Sequence, residues 1–105
     1  MIFRKRRFAD LIARQLDVFA EDQQHDIFAE IRDRKALYDA ADRDDAEELY
    51  GDYIDAVETG TEALADMRDR FKRTLDEDAA DEYELEFTRA VRKRWPEFGL
   101  EIDLR

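Results

Sequence analysis

Between residues 45 and 75, apolar side chains recur at a spacing that a helix produces and a strand does not. Tyr50, Tyr53, Val57, Gly60, Leu64, Met67, Phe71 and Thr74 follow one another in alternating steps of three and four. That is the a/d seam of a heptad repeat carried beyond three heptads. Ala46, Leu49, Ile54, Ala63 and Leu75 widen it. Strand side chains alternate with period two and cannot generate such a series. The expectation is one helix of about 30 residues, spanning about 45 Å. Gly60 lies on the seam itself. It costs about 1 kcal/mol of helix propensity, and it lets a neighbouring element come close. The competing expectation is a local kink at Thr59-Gly60-Thr61.

Asp44 with Glu47, and Asp45 with Glu48, have capping-box spacing, which places a turn over residues 42–45. A second turn is expected near residues 75–78. Beyond it Ala80, Tyr83, Phe87, Val91 and Trp95 form another helical stripe, and Pro96 ends it. Charge order agrees with both helices. Nine acids and no base run from Asp44 to Asp66, followed by Arg68, Arg70, Lys72 and Arg73. Seven acids from Asp76 to Glu86 precede Arg89, Arg92, Lys93 and Arg94. Acids first and bases last suit the helix dipole. An antiparallel hairpin would set Arg89 by Glu62 or Asp66, and Arg92 by Glu58 or Asp55.

The first half carries two shorter stripes. Phe8, Leu11, Ile12, Leu16 and Phe19 make one; Ile27, Phe28, Ile31, Tyr38 and Ala41 make the other. The polar stretch 21–26 between them has neither glycine nor proline. A turn there with Asp22 as cap gives four helices, whereas a continuous helix with Gln23 inside gives three. The chain is thus expected to be all-α: an antiparallel three- or four-helix bundle, residues 1–105 forming a single domain.

The C-terminal stretch changes period. Phe98, Leu100, Ile102 and Leu104 alternate strictly with other residues, which is a strand pattern. The expectation is an extended tail, either laid across a bundle groove or pairing with the same tail of another copy.

At the other end, Arg4, Lys5, Arg6 and Arg7 form the one concentrated basic patch. Residues 2–12 have the make-up of a basic amphipathic helix, suited to peripheral contact with an anionic membrane surface. Pairing with Asp39, Asp42 or Asp44 within the chain is the favoured expectation, because a net charge of −11 repels phosphates at long range. The same charge argues against nucleic acid as a partner.

Searching the chain for chemistry yields little. It has no cysteine, serine or asparagine, so thiolate metal sites and serine or cysteine nucleophiles are excluded. Its three glycines are too far apart for a phosphate-cradling loop. His25 is the single histidine, with Glu21 and Asp22 one helical turn before it. Di-iron bundles need a Glu-x-x-His motif on each of two helices, and this chain has none, so His25 reads as a solvated turn residue. Carboxylate pairs such as Glu58/Glu62 and Glu82/Glu86 read as solvated faces.

No catalytic, cofactor or metal residue is therefore assigned. No apolar run approaches the roughly 18 residues of a membrane span, and a cytoplasmic location is expected. The expected function is a non-enzymatic interaction or structural module that self-associates as a homodimer. Phe98, Leu100, Ile102 and Leu104 and the patch Arg4–Arg7 are its candidate contact residues. The alternative is an acidic regulator that binds a basic protein, imitating the charge of DNA.

Overall fold

A computed structural model describes residues 7–105. Their α-helices are α1 (Ala9–Gln23), α2 (Ile27–Asp39), α3 (Ala46–Lys72), α4 (Glu77–Arg94) and the short α5 (Gly99–Leu104), with a 3-10 turn at Pro96–Phe98. The architecture is an all-α helical bundle, and no strand occurs among the described residues.

The long helix forms as one piece. α3 runs unbroken through Gly60, which is buried. No break interrupts the helix at Thr59-Gly60-Thr61. The buried line along α3 is Val57, Thr61, Leu64 and Arg68, flanked by Ala56, Gly60 and Ala65. It is rotated slightly from the seam read in the sequence, which leaves Met67 and Phe71 half-buried at its edge. Thr61 tolerates complete burial because its hydroxyl donates to the Val57 carbonyl at 2.9 Å.

Asp76 caps α4, its carboxylate accepting from the Ala79 amide at 2.9 Å. The Asp44/Glu47 and Asp45/Glu48 boxes do not form. Asp45 is the N-cap of α3 without a side-chain bond, and Asp42 instead accepts from the Asp45 amide at 3.1 Å. Thr74 and Leu75 close the α3–α4 turn through bonds to the Phe71 and Lys72 carbonyls.

The first half settles on the four-helix side, with a twist in topology. Contacts fix the directions. Phe8 meets Tyr83 (5.4 Å between ring centres), Asp17 meets Arg94 (2.7 Å) and Phe19 meets Trp95 (5.9 Å), so α1 runs parallel to α4. Arg34 donates to the Asp52 carbonyl at 2.8 Å, and Tyr38 meets Tyr50 at 5.1 Å. With Ile27 beside Gly60, these make α2 antiparallel to α3. Near their turn, α3 and α4 are antiparallel, with Phe71 on Tyr83 at 4.7 Å and Lys72 on Glu84 at 2.8 Å. Taken together, α1 and α2 point the same way along the molecule.

The break at residues 24–26 is therefore a jog between two helices and not a fold-back. The break spans only three residues, 24–26, between α1 and α2. Asp26, not Asp22, is the N-cap of α2. The jog moves the chain from the surface of α4 to the surface of α3. α1 covers α4, while α2 covers the N-terminal half of α3.

The elements meet at an aromatic junction. Phe19, Phe28, Trp95 and Phe98 lie with ring centres 5.2 to 6.1 Å apart, and Gly60 lies beneath Phe98. Around them Ile12, Leu16, Leu64, Tyr83, Phe87, Val91 and Ile102 are sealed from solvent.

The expected extended tail is corrected. Phe98 and Ile102 are buried, while Leu100 and Leu104 are each 75% exposed. A strand would place all four on one face. On a helix, positions 98 and 102 share one side and 100 and 104 share another, because four residues make just over one turn. The groove between α3 and α4 receives the apolar side of this turn, and Arg92 fastens it through Asp103 at 2.6 Å.

That wedge also cancels the expected register pairs. Arg92 binds Asp103 and none of Asp55, Glu58, Glu62 or Asp66, and Arg89 forms no ion pair among the described residues.

Candidate interaction surface

The contact residues expected from the sequence are dispersed by the fold. Phe98 and Ile102 belong to the core, so they are unavailable to a partner. Leu100 and Leu104 face outward from α5. Arg7 is exposed; it lies 3.6 Å from Glu82 of α4 and stacks over the Phe8 ring at 5.2 Å. Its acid thus comes from α4 and not from the α2–α3 turn, since α1 packs parallel to α4. Arg4, Lys5 and Arg6 lie outside the described residues, as does most of the 2–12 amphipathic stretch.

Two buried charges escaped sequence reading. Arg68 is 2% exposed, yet nothing in its spacing separates it from the other bases that end α3. Its guanidinium donates to Asp69 at 2.9 Å and to the Arg105 carbonyl at 2.9 Å, and lies 3.8 Å from Glu84. A buried cation persists only with such partners, and here they tie the end of α5 to α3. Glu86 accepts from the Phe8 amide at 3.3 Å at the entrance to α1, satisfying a donor that has no intrahelical acceptor.

The surface of the described residues carries several clefts. One of about 480 Å³ is lined by Arg68, Asp81, Glu84, Leu85, Thr88 and Asp103, among others. Within it Arg68 lies 3.8 Å from Glu84, while Asp103 and Arg105 pair with Arg92 and Glu101 outside the lining. His25 is exposed on the turn between α1 and α2. No group of three or more His, Cys, Asp or Glu among the described residues is placed to hold a metal ion. No helix of the described residues is long and apolar enough to cross a membrane.

Two groups have shifted proton affinity. Burial pushes the Tyr83 hydroxyl up to about 12, against smaller opposing effects of its hydrogen bond to Gln15 and of nearby Arg68. The Asp39 carboxylate, 3.0 Å away, raises the Lys35 ammonium above its ordinary value. The first is an effect of packing and the second of ion pairing.

What stands out is a projecting arm. The second half of α2 and the first half of α3 touch each other and little else. Every buried residue of α3 lies between Ala56 and Arg68, and α2 buries only Ile31. Beyond these points Tyr38, Leu49, Tyr53 and Ile54 are half-covered, while Leu37 and Tyr50 are exposed. The extents are 56 × 31 × 25 Å, an elongated shape.

Comparison with known proteins returns no match: no family model, no curated protein and no solved structure resembles the chain closely enough to match. The class in hand is an all-α helical bundle with a two-helix arm.

Proposed function

We propose that this chain is a non-enzymatic helical interaction module that associates with itself. The observation that carries the reading is the overhang of α3. Its first ten residues, 46–55, bury no side chain, whereas seven of the next thirteen, 56–68, are buried. Two helices alone cannot enclose a core, because each needs its apolar stripe covered on more than one side. An arm that keeps a three-tyrosine cluster and two leucines half in water gains stability once a partner covers it.

Sedimentation equilibrium at tens of micromolar tests this reading. The expected mass is that of a dimer, twice 12.5 kDa. A monomer across that range overturns it.

One observation favours a second reading. None of the nine acids from Asp44 to Asp66 forms an ion pair among the described residues. A basic protein partner would find that run open. Such binding must weaken steeply with salt, so affinity for a basic partner that holds from low to high salt counts against it.

A further inference from the structure

We infer that two copies pair arm to arm about a twofold axis, with α2 of each copy lying against α3 of the other. The inference rests on the self-association reading and names its surface.

The surface is a continuation of the core. Tyr50, Ile54, Val57, Thr61 and Leu64 lie on one line of α3, spaced by four, three, four and three. The lower members are sealed: Leu64 and Thr61 are fully buried and Val57 nearly so. α4, α5 and the 3-10 turn cover that half. The same line then emerges, with Ile54 half-covered and Tyr50 47% exposed. Its position is already set, because Tyr50 packs on Tyr38 and, at 6.3 Å, on Tyr53. What the upper half lacks is a helix in the place that α4 and α5 fill below.

Charge selects which helix. Glu47 and Glu58 flank Tyr50 and Ile54 at helical spacing, and α3 offers no base before Arg68. Setting α3 against α3 of a second copy would oppose like charges. α2 balances Arg32, Arg34 and Lys35 against Glu30, Asp33 and Asp39, so it meets the acidic face of α3 without the repulsion of a second α3; Arg32 and Lys35 lie one turn apart on it, with Lys35 near Tyr38 and Tyr53. Lys35 is engaged only with Asp39 of its own helix, and Arg32 pairs with no carboxylate among the described residues. A twofold operation turns one α2-on-α3 contact into two, so both acidic faces are met at once. Each arm is only about three turns long, small beside the roughly 800 Å² per partner of a standard interface. Association is accordingly expected in the micromolar range and to weaken with salt.

Reciprocal charge reversal tests the pairing. One variant carries Arg32→Glu and Lys35→Glu; the other carries Glu47→Lys and Glu58→Lys. Arg32, Lys35 and Glu47 are exposed and Glu58 is half-covered, and unchanged helical circular dichroism with a cooperative melting transition confirms folding. The wild type is expected to sediment as a dimer, each variant alone to associate at least tenfold more weakly, and an equimolar mixture to recover the dimer. Leu104→Glu, on α5, should leave dimerisation intact. If the wild type dimerises and both reversed variants still do so, or if mixing restores nothing, the arm pairing is wrong while self-association stands. If Leu104→Glu alone abolishes the dimer, the interface is α5. If the wild type is monomeric, both proposals fall.

Discussion

The Phe98 ring occupies the space that a side chain on Gly60 would need: a Cβ there would lie 2.8 Å from Phe98 Cε1 and 2.9 Å from Cζ. Ile27 closes the other side at 3.1 Å. One missing methyl group thus lets the turn after α4 seat an aromatic ring directly on the backbone of α3.

Gly60 and Gly51 should respond to alanine with opposite signs. Gly60→Ala gains helix propensity, but it pushes a fully buried ring that Phe28 and Trp95 hold in place. Overpacking of this kind costs about 1–3 kcal/mol. Gly51 sits in the same helix, and a methyl group added to it would meet nothing within 4 Å, so Gly51→Ala should stabilise by about 0.5–1 kcal/mol. Urea midpoints followed by the fluorescence of Trp95, the single tryptophan, read both. Equal shifts in one direction would contradict the Phe98 contact.

Leu64→Asp should abolish cooperative folding. Leu64 has no exposed surface, so the aspartate would lose its hydration among apolar neighbours, and Arg68, one turn on, is already committed to Asp69 and the Arg105 carbonyl. A loss of several kcal/mol is comparable to the whole stability of a domain, about 5–15 kcal/mol. A sharp melting transition in the variant would show that this part of α3 is not the centre of the core.

Arg68→Met should loosen α5 selectively. The substitution keeps an unbranched stem in the core but removes the bonds to Asp69 and the Arg105 carbonyl. Glu84 retains Lys72 and is partly exposed, so no charge is stranded. Amide exchange is expected to accelerate over residues 98–105 and to change little in α3 and α4. Uniform acceleration would mean that Arg68 supports the whole bundle instead.

Stability should decline in alkali through Tyr83. Its hydroxyl, which donates to Gln15 at 2.8 Å, is raised from 10.0 to about 12 by burial. The folded state therefore holds the proton more tightly than the unfolded chain. This contribution is complete below pH 10 and is lost as pH rises from 10 to 12, on the order of 2 kcal/mol. Tyr83→Phe gives up about 1 kcal/mol of hydrogen bonding at neutral pH but should flatten the alkaline decline. Parallel pH profiles for the two proteins would refute the assignment.

The extent to which the sequence could be read varied by element, for identifiable reasons. The stripe Tyr83, Phe87, Val91 was legible because α4 has one core-facing side, and its period states that directly. The strand reading of residues 98–104 failed because strict alternation over four apolar residues contains two interleaved helical pairs. Only the groove between α3 and α4 chooses which pair goes inside. Arg68 was hidden because a base in the last turns of a helix is what the dipole favours anyway, and its burial depends on where the end of α5 comes to rest. The arm was half-legible. A seam of about 30 residues beside shorter stripes is longer than they can cover, but the spacing does not state which side of it stays open.

Local periodicity and the placing of Pro96 were enough to specify α3 and α4, their approximate limits and the unbroken length of α3, because these depend on residues within a few turns of one another. The course of α1 and α2 in one direction, the seating of Phe98 over Gly60 and the side of α3 left open were decided only in the folded molecule. Each depends on which of several comparable apolar faces finds a complementary surface far away in the chain. Spacing along a helix states which residues share a face, but not what will cover it.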